Sequence, residues 1–360
     1  MPSKNVQRPR CLIIFEESIK SEETKKNYLL MLNKYRKFAV VENFDELLKA
    51  DSNSIQCLLE DYVISLKRKI SPNTLNTQLA PVFLFYELNG ITINKTRIKK
   101  MYPAKVKRGG YGSYSLEDIK NMLSSTRKKR TRACILVLSS TGCRAMGLCE
   151  LKMKDVENYK DGCKVVTFYS NDTSEYVGFL TLEASNALDD YFEERIQDHE
   201  KITSDSPLIR ESYSMASLPA KHINNAMLQE LISMTLKDVK RKKDSSKRYN
   251  IPITGGFRKF FNLTMKLREN VNISLVEKLM GHSVTVGLDN HYLPASKEKL
   301  FEEFQKNIPD LTINDSERLR VEKELQAKKI QELESDKKRI SDLELRMASI
   351  SELLKKIKDV

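Results

Sequence analysis

Three residues late in the chain could together attack a phosphodiester bond. Arg258 lies in the segment GFRKFF, His282 in LMGHS and Tyr292 in HYLP. A phenol is a poor nucleophile because its pKa is about 10, so it needs cations that absorb charge as the phosphate becomes five-coordinate. These residue types, in this order, predict a phosphoryl-transfer site in which Tyr292 is the nucleophile and Arg258 and His282 supply positive charge.

A second arginine, Arg144, lies far upstream in the segment SSTGCR, directly after an apolar run. The turn before it is expected to aim its side chain into a cleft, where two guanidiniums can clamp one phosphate through bidentate hydrogen bonds. Other interpretations stay open. An arginine at a helix start often works at the surface, and an isolated histidine more often has a structural role. Tyr176 and Tyr249 are weaker candidates for the nucleophile.

The composition indicates a polyanionic partner. The 360-residue chain has 62 Lys and Arg against 49 Asp and Glu, a net charge of +13. The excess is uneven, because residues 1–114 contain 20 basic and 11 acidic residues whereas residues 315–360 are nearly balanced. Such a basic excess is typical of proteins that bind nucleic acid. Surplus lysine that only maintains solubility is the simpler alternative.

Several classes of function are disfavoured by missing motifs. The six cysteines include no CxxC pair and no Cys/His grouping at zinc spacing, so they are expected to be reduced thiols without a metal. No GxxxxGK[ST] or GxGxxG motif is present, which predicts no nucleotide cofactor. No apolar run reaches the roughly 20 residues that cross a bilayer, and the start lacks a secretory hydrophobic core. We expect a cytoplasmic, nucleoid-associated protein without membrane contact.

Residues 16–95 carry helical periodicity, and residues 1–95 are predicted to form a basic, all-helical module. Ser21 is expected to cap one helix, and Ser71 followed by Pro72 is a strong start signal for another that runs through Leu88. Polar and basic side chains on the first turns of these helices are candidates for DNA contacts, although they are equally ordinary on a solvated face. The candidates are Lys25, Lys26, Asn73, Thr74 and Asn76.

Residues 96–114 are basic, rich in glycine and weakly apolar, and are predicted to be an interdomain linker. Lys107 and Arg108 in this segment are further candidates for DNA contacts, because a basic linker can lie along a phosphate backbone. A merely flexible connector fits the composition equally well.

Residues 115–308 are predicted to form a second domain of the α+β type. Strand character at 156–159, 164–169 and 176–180, separated by turn signals, predicts a small three-stranded antiparallel sheet inserted among helices. Helical patterns occupy 183–195, 218–240, 257–268 and 273–280. The chain as a whole is therefore expected to be mainly α-helical.

Residues 315–360 are rich in Glu, Lys, Leu and Ile and are predicted to form a coiled-coil-like helix. A heptad seam, interrupted at Asp336, could be parallel or antiparallel, and a single amphipathic helix docked on its own domain is an equal alternative. If the tail supports assembly, deleting it should change oligomerisation. The seam consists of Leu333, Ile340, Leu343, Met347, Ile350, Leu354 and Ile357.

In these segments the chain resembles the tyrosine recombinase family, the phage-integrase and Xer-like enzymes, and within it the archaeal mobile-element type. Residues 141–144 and the following 145–155 resemble the family's first arginine box, and residues 256–258 resemble the second. Residues 280–282 are similar to its LGH signature, and Tyr292 follows ten residues later, where the nucleophile is expected. The upstream module matches the family's helical, SAM-like core-binding domain.

The resemblance implies a site-specific recombinase or integrase that cleaves and rejoins double-stranded DNA. In this family the tyrosine forms a 3′-phosphotyrosyl link, and the 5′-hydroxyl of a partner strand reverses the step without ATP or metal. The catalytic roles then fall to Arg144, Arg258, His282 and Tyr292. Because strand exchange needs several protomers, a homo-oligomer, either a dimer or a tetramer, is expected on DNA.

Three features depart from the family pattern. Gly255 replaces the usual histidine of the second box, and Gly147 stands where an acidic residue often follows the first arginine. Residues 165–200 contain no lysine that could protonate the leaving 5′-oxygen. Lys164 is the nearest candidate for the general acid, and Lys259 is a second candidate as well as a DNA contact. A weak or inactive DNA-binding accessory protein is therefore the alternative, and a monomeric relaxing type IB topoisomerase is a third interpretation.

Overall fold

The structure, a computed structural model, describes residues 8–104, 111–212, 219–243, 248–282 and 296–358. The chain divides into two compact units, Met1–Gly109 and Gly110–Val360. Each unit has its own core of buried apolar side chains. Among the described helices, none combines the length and the apolar character that crossing a bilayer requires.

The first unit is helical throughout its described residues. Its helices are α1 (Arg10–Glu17), α2 (Glu22–Phe38), α3 (Ser52–Lys67), α4 (Pro72–Leu88) and α5 (Lys95–Lys100), with a 3-10 turn at Phe44–Leu48. The predicted starts are confirmed, because the Ser21 and Ser71 side chains accept hydrogen bonds from the backbone N–H groups of Thr24 and Thr74.

A group of tyrosines lies at the centre of this first core. Tyr35 is fully buried, and its hydroxyl lies 3.1 Å from that of Tyr86. The Tyr62 hydroxyl accepts a hydrogen bond of 2.9 Å from Gln78. Burial raises the pKa of Tyr86 to about 12, so these phenols remain neutral and act as hydrogen-bonded core residues.

The boundary predicted near residue 95 falls inside a structured segment. Helix α5 belongs to the first unit, whose core includes the buried side chain of Ile98. Residues 105–110, which include the predicted contacts Lys107 and Arg108, lie outside the described residues. Tyr114, at the end of the predicted linker, is buried in the core of the second unit and packs its ring 4.9 Å from that of Phe257.

The second unit contains helices around a small sheet. Helices α6 (Leu116–Ser124), α7 (Lys129–Thr141), α8 (Ala145–Glu150) and α9 (Leu182–Gln197) surround strands β1 (Val156–Asn158), β2 (Lys164–Phe168) and β3 (Tyr176–Leu180), with 3-10 turns at Met153–Asp155 and Lys160–Gly162. Helices α10 (Asn225–Ser233), α11 (Gly255–Leu267), α12 (Ile273–Leu279), α13 (Lys297–Gln305), α14 (Ile308–Leu311) and α15 (Asp315–Lys358) follow.

The sheet has the predicted strands and the predicted antiparallel order β1-β2-β3. Val166 pairs with Val156 on one side and with Gly178 on the other, and the β2–β3 pairing ends at Phe168 opposite Tyr176. Helix α7, whose residues 133–141 are all buried, packs against α9, α11 and β3. The apolar run before Arg144 is therefore the central helix of this unit.

The predicted helix over 218–240 is wrong at both ends. Only Asn225–Ser233 is α-helical, because the Asn224 side chain accepts from the Met227 N–H and starts the helix there. Upstream, His222 pairs with Arg210 in an isolated β-bridge, which requires an extended backbone. Tertiary pairing thus overrides the local helical pattern in this segment.

Candidate active site

Arg144 occupies a sharp turn between α7 and α8. Gly142 ends α7 with a left-handed backbone, φ +57°, and a Cβ at this position would lie 2.8 Å from the ring of Phe261. Glycine is thus required both by the backbone conformation and by the close approach of α11. Arg144 then begins α8 as its N-cap residue, with an extended backbone and an exposed side chain.

Arg258, the fourth residue of α11, is held by two backbone carbonyls. Its Nη1 donates to the Gly142 carbonyl at 2.7 Å, and its Nη2 donates to the Met280 carbonyl at 2.7 Å. These bonds tie together the end of α7 and the end of α12. Since a guanidinium has five N–H donors, these two hydrogen bonds do not use all of them.

The two arginines meet at consecutive carbonyls. Arg144 Nη1 donates to the Gly281 carbonyl at 3.2 Å, directly after the Met280 carbonyl that Arg258 binds. Burial, and then the nearby positive charge of Arg144, lower the pKa of Arg258. Within the described part of the chain, neither guanidinium forms a salt bridge with a carboxylate. The sequence-predicted pair therefore forms a local concentration of positive charge.

His282 follows this pair through a glycine turn. Gly281 ends α12 with φ +60°, and a Cβ there would lie 2.4 Å from the ring of Tyr176. The His282 backbone N–H donates to the Glu277 carbonyl at 3.1 Å, which closes the turn. This turn fixes the backbone of His282, which directly follows the residue whose carbonyl Arg144 binds.

Glu277 is a site residue that the sequence analysis missed. One of its carboxylate oxygens contacts His282 Nδ1 and the other contacts Lys266 Nζ. Burial alone would raise the pKa of Glu277, but the hydrogen bonds from Lys266 and His282 together hold that pKa below its ordinary value. With Glu277 ionised, Nδ1 of His282 carries its proton, and Nε2 is left for other groups. A carboxylate five residues before a histidine, across a helix end, was the available signal.

Two tyrosines at the end of the β2–β3 pairing line the site. Tyr176 stacks on Phe168 with ring centroids 4.8 Å apart, and burial raises its pKa. Tyr169 has a left-handed backbone, φ +54°, and its hydroxyl would lie 3.2 Å from a Cβ on Gly147. Burial raises the pKa of Tyr169, although the charge of Arg144 acts in the opposite direction. Gly147 therefore lies beneath a phenol, where an acidic side chain has little room.

Lys164 is not brought to this site. It lies at the far end of β2, opposite Leu180, about 13 Å along the strand from Phe168 at 3.3 Å per residue. Its Nζ is 3.1 Å from Asp189 and 2.8 Å from Asn158.

Of the other candidates for the nucleophile, Tyr249 stacks under Arg241. Tyr292 lies outside the described residues.

The other candidate DNA contacts lie on exposed surfaces. Lys26, Asn73, Thr74 and Asn76 are exposed on the first unit, and Lys259 is exposed on α11. Lys25 forms an ion pair of 3.0 Å with Glu22. Within the described ranges, no three His, Cys, Asp or Glu side chains are grouped as a metal site.

The described site combines two arginines, a carboxylate-bound histidine and two phenols. The family model of the phage integrase family matches residues 113–299, just over half of the chain. The chain belongs to this family, the tyrosine recombinases. No curated protein sequence matches it significantly.

Solved structures of recombinases share the fold at low sequence identity. XerH site-specific recombinase in a pre-cleavage complex with difH substrate matches with a TM-score of 0.50 and 16% identity, over 76% of this chain and 80% of that one. The Tn1549 transposon integrase in complex with transposon right end DNA matches with 0.51 and 13%, over 82% and 98%. A lambda integrase dimer bound to a COC' core site matches with 0.50 and 15%, over 80% and 77%.

Replacing Gly281 with alanine should destabilise the second unit and displace the arginine pair. The left-handed backbone costs alanine about 1–2 kcal/mol, and overpacking against Tyr176 should add about 1–3 kcal/mol. Urea unfolding followed by far-ultraviolet circular dichroism measures this loss. The control is Gly162→Ala, at a similar φ of +72°, where the new Cβ meets only the flexible tip of Leu182. Equal losses for the two variants would contradict the tight packing inferred at Gly281.

Replacing Glu277 with glutamine should lower stability at neutral pH by about 1–3 kcal/mol, because charged hydrogen bonds to Lys266 and His282 are lost. The folded pKa of Glu277 is lowered, so its contribution is present above the unfolded pKa and is lost as pH falls through the folded pKa. The gap between wild type and Glu277→Gln should therefore close in acid. Unfolding free energies measured from pH 7 downward check this, with the exposed Glu150→Gln as control. A gap independent of pH would contradict it.

Proposed function

We propose that the protein is a site-specific recombinase that breaks and rejoins double-stranded DNA through a covalent tyrosyl link. The observation that carries the proposal is the pair of guanidiniums, Arg144 and Arg258, held on the consecutive carbonyls of Met280 and Gly281. Two adjacent cations without a bound carboxylate in the described chain suit the oxygens of one phosphate. The net charge of +13 and the DNA complexes of the structural neighbours support DNA as its source.

In the proposed first step, the Tyr292 oxygen bonds to phosphorus and the bond from phosphorus to the 5′-oxygen breaks. The phenolic proton of Tyr292 passes to Nε2 of His282, whose Nδ1 is bound by Glu277. Arg144 and Arg258 stabilise the charge on the non-bridging oxygens of the five-coordinate state. Rejoining reverses these transfers when the 5′-hydroxyl of a partner strand attacks, so no ATP is consumed. We propose assembly of several protomers on DNA, as a dimer or tetramer, for this exchange.

The leaving 5′-oxygen must also receive a proton, and we assign this role to Tyr169. Lys164 is ion-paired at the other end of β2, and the turn from β2 to β3 contains no lysine. The Tyr169 hydroxyl lies close to Gly147, one turn of helix after Arg144. Burial raises the pKa of Tyr169, so the phenol is protonated at neutral pH, and the positive charge of Arg144, which acts in the opposite direction, favours donation of that proton.

The nucleophile can be tested without knowing the target sequence. A pool of nicked duplexes with randomised sequence is incubated with the protein, and adducts that survive denaturation are recovered and sequenced. We expect adducts for wild type and none for Tyr292→Phe, while filter binding of intact duplex is unchanged. On the recovered sequence, Arg144→Ala should form adducts about 10²–10³-fold more slowly.

Three results would decide against this assignment. Duplex binding without adducts in wild type would favour the inactive accessory protein. Adducts that persist in Tyr292→Phe would show that another residue is the nucleophile. Relaxation of supercoiled DNA by monomers, without strand exchange, would favour a type IB topoisomerase.

The Tyr169 assignment has its own test, in which sulfur replaces the 5′-bridging oxygen of the recovered substrate. A thiolate leaves without protonation because a thiol is much more acidic than an alcohol. The Tyr169→Phe variant should cleave the oxygen substrate about 10²–10⁴-fold more slowly than wild type. It should cleave the sulfur substrate at nearly the wild-type rate. The matched control, Tyr176→Phe, should show no such rescue. Equal slowing of Tyr169→Phe on both substrates would give Tyr169 a structural role only.

A further inference from the structure

Helix α15 carries a stripe of large apolar side chains that its own chain leaves exposed. Leu333, Ile340, Leu343 and Met347 are 60%, 56%, 53% and 69% exposed. They occupy a and d positions of a seven-residue repeat, and the sequence continues the repeat at Ile350, Leu354 and Ile357. Apolar side chains at this spacing are typical of a helix that packs against another helix.

The helix docks on its own unit only at its first turns. Asp315 lies 2.8 Å from Lys120 Nζ, and Val321 packs against the core of the second unit. From residue 323 onward the described side chains are exposed. At 1.5 Å per residue, the part of α15 beyond residue 323 is roughly 50 Å long. The described residues of α15 therefore do not form an amphipathic helix that docks along its own domain.

We propose that a second copy of this chain covers the stripe, in a parallel, in-register, two-stranded coiled coil from Ile340 toward the C-terminus. Asp336, at the d position before Ile340, would face its counterpart in the second copy, so the seam starts after it. This inference deepens the proposed recombinase function, on which its purpose rests, because strand exchange needs more than one protomer. Formation of the dimer through α15 does not itself depend on that function.

Charge complementarity supports a parallel pairing. In a parallel dimer the residue before each a position faces, on the partner helix, the residue five positions further on. Within the proposed seam, the charged pair at this spacing is Arg339 with Glu344, and the two are of opposite sign. An antiparallel pairing centred on Ser341 and Asp342 would instead bring the arginine at 339 opposite the one at 346, and the lysine at 337 opposite the glutamate at 344. In that register the repulsion between the arginines offsets the attraction of the second pair, whereas the parallel seam has an attractive pair without a like-charged one, so the parallel orientation is favoured.

The first experiment measures the dimer of the full chain without DNA. Sedimentation equilibrium over a range of concentrations should show a monomer–dimer equilibrium for wild type. Leu343→Lys should raise the dissociation constant by at least about tenfold, a loss of about 1.4 kcal/mol. Leu345→Lys is the matched control, because Leu345 is another exposed leucine, at 67% against 53% for Leu343, on the outer face of the same helix. Equal effects of the two variants, or a wild type that stays monomeric throughout, would overturn the proposal.

The second experiment tests the orientation. In a Cys57→Ser background, which removes the exposed native thiol, Ile340→Cys should form an intermolecular disulfide under mild oxidation, because identical a positions face each other only in a parallel, in-register pair. Arg339→Glu and Glu344→Arg should each weaken the dimer, and the double variant should restore it. Absence of the disulfide, or a double variant weaker than either single one, would rule out the parallel pairing.

Failure of this inference can be told apart from failure of the proposed function. If Leu343→Lys and wild type are both monomeric but still form Tyr292-dependent adducts with DNA, the recombinase assignment stands and the tail proposal falls. If the disulfide forms but no adduct is found, the dimer stands and the catalytic assignment falls.

Discussion

The site depends on holding two like charges side by side. The guanidiniums of Arg144 and Arg258 repel each other, and the pKa of Arg258 is lowered first by burial and then by this repulsion. They stay together because consecutive backbone carbonyls, those of Met280 and Gly281, accept hydrogen bonds from both. A phosphate between or beside them would relieve the repulsion, so the same feature that costs stability in the free protein favours anion binding.

Backbone turns create this arrangement more than side-chain packing does. Gly142 and Gly281 both have left-handed backbones, and each lies against an aromatic ring, that of Phe261 and that of Tyr176. No residue with a Cβ would fit either position without moving the ring. Because the carbonyls that hold Arg258 belong to Gly142 and Met280, the ends of α7 and α12 and the start of α11 are joined through one side chain.

The fold is shared with recombinases at only 13–16% identity, while the surroundings of the arginine pair differ from the family pattern. A Cβ at Gly147 would lie 3.2 Å from the Tyr169 hydroxyl, so the phenol leaves little room for an acidic side chain at this position. The Glu277–His282 pair offers a proton acceptor at a site where Gly255 replaces the usual histidine. The proposed roles of Tyr169 and His282 rest on these contacts with Gly147 and Glu277.

The sequence alone was enough to predict local structure and the arginine pair. The caps at Ser21 and Ser71 and the three strands could be predicted because their signals lie within a few residues of each other. The tertiary structure decided what depends on contacts between distant segments. It shortened the helix predicted over 218–240 to Asn225–Ser233, since a bridge to Arg210 holds residue 222 extended, and it left Lys164 far from the site. It also revealed Glu277, whose role appears only when the end of α12 folds back and places His282 beside it.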